Sequence, residues 1–177
     1  MKKLIIIVLI LGIIIGAFFA FNSYIYNEKQ APVATDYKET EFFLDGARAT
    51  IGGDIQYFGN ELAIDLDLDG VEDKIFLITY SPGGSGTFYY VVGAVKTSDG
   101  YVGTDAVLLG DRIAPQTTEP GVHPGIVVIN YAERLPNEPF TTSPSHGKSL
   151  WLKLDVPSMR FGEVAVNFEG ESNLPRE

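Results

Sequence analysis

A chain of 177 residues without cysteine has room for one ordinary domain plus attachments, and it excludes a disulfide framework, thiol catalysis, Cys-ligated zinc and a lipidated cysteine. Its formal net charge of −10 comes from 23 acids against 13 lysines and arginines, which argues against nucleic acid or anionic lipid as a binding partner, because phosphate needs a positive patch. Setting aside Lys2 and Lys3 at the start leaves 11 cations against 23 acids, a net −12, a balance suited to a solvated extracytoplasmic domain that meets divalent cations.

Met1-Lys2-Lys3 opens onto an unbroken apolar run, Leu4 to Phe21. Its 18 uncharged residues reach the lower end of what spans a bilayer as a helix. A cleaved signal peptide shares the basic start, but the run exceeds the usual signal core, and Phe18, Phe19 and Phe21 are bulky where a cleavage site needs small residues. With Tyr24 and Tyr26 they form the pattern of an interfacial aromatic belt. The expectation is a retained signal anchor or transmembrane helix over 1–26. The membrane is then a partner, the N-terminus is cytoplasmic and the C-terminal bulk extracytoplasmic. Gly12 and Gly16 make a G-x-x-x-G pair, for which a lipid-facing role outweighs helix pairing. Residues 27–40 are polar, contain Pro32 and read as a stalk linker.

From Glu41 the pattern turns to short strands. Phe42-Phe43-Leu44 and Ala47–Ile51 flank Asp45-Gly46, a strong hairpin signal. Ile55–Phe58 and Glu61–Ile64 lead into Asp65-Leu66-Asp67-Leu68-Asp69-Gly70-Val71-Glu72-Asp73. In this stretch alternate aspartates at loop positions 1, 3 and 5 can turn hard oxygens towards one cation. Gly70 permits the sharp turn, the Val71 carbonyl can point back, and Asp73 can close the shell. Asp65, Asp67, Asp69, Val71 and Asp73 are therefore the candidate metal ligands, and Ca²⁺ the candidate ion, with a structural role. Without a cation such close carboxylates repel one another. An EF-hand requires glutamate at loop position 12, where Phe76 stands, and Ile75–Tyr80 reads as a strand, not a helix.

Ser81–Thr87 is a glycine-rich connection that lacks the Gly-Lys-Ser/Thr ending of a phosphate loop and the second glycine of a nucleophile elbow, so a wide hairpin is expected. Phe88–Lys96 is apolar at nearly every position, as for a central strand covered on both faces. Ser98-Asp99-Gly100 turns it; Tyr101-Val102, Ala106–Leu109, Ile113–Glu119, Ile126–Tyr131, Leu150–Leu154 and Val164–Phe168 offer further strands. Residues 133–149 form a long proline-containing loop. No segment here has a helical period. The fold class is thus all-β: a single, mainly antiparallel domain over 41–170, a sandwich or partly open barrel, followed by a polar tail, 171–177.

The aspartate loop, leading into a strand, resembles the DxDxDGxxD loops of FG-GAP (integrin-type) repeats. The likeness covers about a dozen residues in one copy and implies no propeller. Tyr57-Phe58-Gly59-Asn60-Glu61, the aspartate loop, Gly83–Val92 and Gly110–Glu119 together resemble a family of uncharacterised bacterial envelope proteins. The likeness covers roughly 57–150 and implies a membrane anchor and one such domain, but no activity. That pattern often has glycine where Leu68 stands here.

Two classes of function follow. The first is a membrane-tethered binding or structural module with a calcium-stabilised loop and no catalysis, acting on a cell-envelope ligand or protein. The second is an envelope hydrolase whose site is formed by the Gly83–Thr87 loop, Asp111, Arg112 and the 133–149 loop. Asp111-Arg112 reads as an internal ion pair in preference to a ligand fork. His123 and His146 stand beside turn residues and read as exposed loop histidines, since a catalytic zinc usually takes three protein ligands.

Overall fold

A computed structural model describes residues 32–165, together with residues 12 and 15–18, which are helical. Among the described residues no helix is long and apolar enough to cross a membrane. Most of the expected 1–26 anchor, the first part of the stalk and the 171–177 tail lie outside the described residues.

The described strands, in chain order, are β1 (Phe42–Leu44), β2 (Ala47–Ala49), β3 (Ile55–Ile64), β4 (Asp73–Tyr80), β5 (Phe88–Thr97) and β6 (Gly100–Gly103). They continue with β7 (Val107–Asp111), β8 (Ala114–Pro120), β9 (Ile126–Glu133), β10 (His146–Asp155) and β11 (Arg160–Glu163). A five-stranded sheet runs β3-β4-β5-β6, with β7 sharing the far edge of β5: β6 pairs its C-terminal part and β7 its N-terminal part. The second sheet runs β11-β10-β9-β8, and β1-β2 is the hairpin that Asp45-Gly46 turns. All of these ladders are antiparallel. The architecture is a layered sandwich, not a closed barrel.

Period-2 alternation sorts the five-stranded sheet into two cores. Ile75, Leu77, Val91 and Val95 point one way, towards Val127, Ile129, Tyr131, Leu152 and Leu154 of the second sheet. Phe76, Ile78, Tyr90, Val92 and Ala94 point the other way, where Phe42 and Leu44 of the hairpin cover them. This is why β4 and β5 are apolar without interruption: both of their faces are buried. Two ring contacts at the second core are edge-on, with Phe76 5.6 Å from Tyr37 and 5.8 Å from Phe42.

Several expectations need correction. The stalk does not reach residue 40. Ala34 exchanges two backbone hydrogen bonds with Tyr101, at 2.8 and 2.7 Å, and Tyr37, in a single 3-10 turn (Tyr37–Glu39), packs on the second core. The physical reason is that the hairpin alone is too small to cover that face. Ile55–Phe58 and Glu61–Ile64 are one strand, because Gly59 and Asn60 take positive φ and absorb a bulge within β3. Asn60 Nδ2 then donates to the Gln116 carbonyl of β8 (3.1 Å), linking the two sheets at their edges. The long loop is shorter than expected, since β10 begins at His146, opposite Glu133. Arg160–Glu163 forms the last described strand, on the outer edge of β10; of the expected Val164–Phe168 strand, 164 and 165 are irregular and 166–168 lie outside the described residues. Arg160-Phe161-Gly162-Glu163 carries no alternation to betray it, and Phe161 joins the first core only because the chain turns back there.

Candidate metal loop and loop junction

The acidic loop connects β3 to β4, and the core decides how it is held. Leu66 is buried in the first core, so the loop is pinned from inside, with Asp65 and Asp67 half-buried and Asp69 exposed. Asp73 opens β4 and is 0% exposed. Its Oδ2 accepts from the Leu66 amide (2.7 Å) and its Oδ1 from the Lys96 amide of β5 (2.7 Å). Each oxygen keeps a second lone pair after that. Burial pushes the Asp73 carboxyl up to about 6, against the two amide hydrogen bonds that favour its charge. Asp67 is also raised, first by burial and then by its acidic neighbours.

Asp65, Asp67 and Asp73 each offer a carboxylate oxygen, and these lie within 4.8 Å of one another; the cluster could hold a metal ion. Asp69 stands apart from it: its Oδ1 accepts from the Val71 amide (2.7 Å), closing the turn. What is fixed of Val71 is that amide contact. The remaining acceptors organise the loop backbone, with the Asp65 carboxylate taking the amides of Asp69 (3.1 Å) and Gly70 (2.9 Å). Of the four carboxylates read from the spacing, the structure gathers Asp65, Asp67 and Asp73, while Asp69 closes the turn beside them.

Leu68 has φ +65° and its side chain is 53% exposed. A branched residue pays a steric cost of about 1–2 kcal/mol in that left-handed region. Leu68→Gly should therefore raise stability by about 0.5–1 kcal/mol, less the extra freedom glycine gives the unfolded chain. Urea denaturation checks it, and a loss of stability would show that Leu68 packing outweighs the backbone term.

Spacing gave no hint of the loop's surroundings. An open cleft of about 360 Å³ runs beside it, with Asp65 and Leu68 on one side and Val122 and His123 of the β8–β9 turn on the other. His123 is exposed, as expected, yet it faces the acidic loop across this cleft, whereas His146 sits in β10.

The other candidate segments do converge. The Thr87 amide donates to Asp111 Oδ1 (2.9 Å) and the Arg112 amide to the Thr87 carbonyl (2.7 Å), fastening the glycine-rich connection to the end of β7. Arg112 clasps Asp111 through Nε (3.0 Å) and Nη2 (2.7 Å), which holds the Asp111 carboxyl below its usual range. Arg134 donates from Nη1 to the Arg112 carbonyl (2.7 Å) and from Nε to the Thr142 carbonyl. Phe140 lies under the Arg112 guanidinium, 3.7 Å from Cζ to the ring centre. The internal ion pair expected of Asp111-Arg112 is present.

No protein-family model, curated protein or solved structure matches the chain.

Proposed function

We propose that this protein is a membrane-tethered extracytoplasmic binding or structural module whose β3–β4 loop is stabilised by calcium, and that it performs no catalysis. The observation that carries the calcium reading is the meeting of Asp65, Asp67 and Asp73 within 4.8 Å on a loop pinned by buried Leu66. An all-oxygen set of carboxylates suits a hard cation and disfavours soft metals. The tether rests on the apolar run Leu4–Phe21. Binding is favoured over catalysis because Asp111 is engaged by Arg112 and by the Thr87 amide and so is not free to act as an acid or base.

Calcium should raise the melting temperature by a few degrees. Extracellular calcium modules bind with Kd of about 10⁻⁴–10⁻³ M. At ten times Kd, linkage supplies roughly 1.4 kcal/mol. Scanning calorimetry of the full chain with calcium and with chelator measures this, and Asp65→Asn combined with Asp67→Asn should abolish the difference. Identical melting of the folded wild-type protein in both conditions would remove calcium from the proposal. Fractionation tests the tether separately: the chain should sediment with membranes, and a soluble mature form starting near residue 22 would sink that part.

A further inference from the structure

We propose that the junction of the Gly83–Thr87 loop, Arg112 and the 134–145 loop binds a carboxylate group carried on an apolar body. This site is separate from the acidic loop and does not depend on calcium. Two guanidiniums gather on one ring: the Cζ atoms of Arg112 and Arg134 lie 3.7 and 5.8 Å from the centre of Phe140. Among the described residues Asp111 is the one carboxylate hydrogen-bonded to either of them. Two guanidiniums therefore share one hydrogen-bonded carboxylate, in a chain whose net charge is −10.

The donors are only partly used. Arg112 commits Nε and Nη2 to Asp111, and Arg134 commits Nε and Nη1 to two carbonyls. Nη1 of Arg112 and Nη2 of Arg134 have no hydrogen-bond acceptor among the described residues. A tie built for stability alone is complete with one guanidinium per carboxylate. Here a second has been brought in, and it is held in place by two carbonyl contacts.

The chemistry of the ligand follows from charge and shape. A carboxylate monoanion meets less repulsion from an acidic protein than a phosphate dianion does. Guanidinium donors match the two oxygens of a carboxylate. Phe140, 61% exposed, sets aromatic surface beside the charge, which suits an apolar body next to the carboxyl group. The backbone is also set for this display. Arg112 has φ +48°, a conformation that costs a non-glycine residue energy, and its hydrogen bond to the Thr87 carbonyl helps to hold it there.

The carboxylate can belong to a free organic acid or to a peptide C-terminus, and the test separates the two. The full chain is titrated with benzoate, and with a leucine-ended tripeptide in free-acid and amidated forms. Chloride keeps the ionic strength constant, and NMR follows the arginine side-chain resonances. Saturable shifts of Arg112 and Arg134 with benzoate, with the free-acid peptide or with both are expected in the millimolar range, and the amidated peptide should give none. Loss of one charge-assisted partner in Arg134→Gln should weaken binding about tenfold or more. Should that variant fail to fold, the wild-type shifts still decide. Absence of any saturable shift, equal shifts with the amidated peptide, or stronger binding of inorganic phosphate would each overturn the proposal.

Discussion

Replacing Gly103 by alanine should lower stability by about 2–4 kcal/mol and loosen the segment from Ala34 to Leu44. A Cβ at residue 103 would stand 2.1 Å from the Glu41 carbonyl oxygen and 2.8 Å from Thr40 Cγ2. The obstacle is backbone, so no side-chain rotation relieves it. The chain around Glu41 must move, and it is fastened close by: the Phe43 amide donates to the Thr104 carbonyl (3.2 Å) and the Ala106 amide to the Phe43 carbonyl (2.7 Å). Moving it withdraws Phe42, which is 1% exposed and covers Phe76. Complete loss of one buried phenylalanine costs about 3–5 kcal/mol, which bounds the effect from above. Urea denaturation together with hydrogen exchange at the Phe43 and Ala106 amides gives both readouts. Gly147→Ala is the control, since an added Cβ there meets nothing within 4 Å, and it should change stability by less than about 0.5 kcal/mol. An unaltered Gly103→Ala protein would mean that residues 34–44 contribute little to the fold.

Asp73→Ala should cost about 2–4 kcal/mol, because it leaves the Leu66 and Lys96 amides without their acceptor in a buried site. Asp73→Asn keeps one acceptor oxygen and should cost less. The same carboxyl sets a pH dependence. Its folded value of about 6 lies above its ordinary 3.8, so the folded state holds the proton more tightly than the unfolded chain. That contribution to metal-free stability is fully present below about pH 4. It is lost as pH rises towards and through 6, at a slope of up to about 1.4 kcal/mol per unit. A bound cation favours the ionised form and should flatten or reverse the slope. Denaturation of wild type and Asp73→Asn from pH 4 to 7, in chelator and in calcium, isolates this group from the other acids. A wild-type curve parallel to that of Asp73→Asn in chelator would show that Asp73 does not titrate in this window.

Local chemistry was legible without coordinates wherever one segment carries its own instructions. The apolar runs of β4 and β5 announced strands buried on both faces, Asp45-Gly46 announced a hairpin, and Asp-x-Asp-x-Asp-Gly announced a turn lined with carboxylates.

What the tertiary structure alone decided are relations between distant segments. No local pattern shows that Tyr37 and Phe42 must close the second face of the central sheet, because that need arises only once β4 and β5 are paired and leave Phe76 and Tyr90 uncovered. Nor does spacing distinguish Asp69, used in the turn, from Asp73, which reaches both Leu66 and Lys96; the difference depends on burial against β5. Arg112 stands 22 residues before Arg134, and no shared periodicity links it to Arg134 and Phe140. They meet because the sheet of β5 and β7 and the sheet of β9 and β10 are packed together, which brings the ends of β7 and β9 side by side. Side-chain periodicity reports which face of a strand is buried; only the packing of the sheets reports what it is buried against.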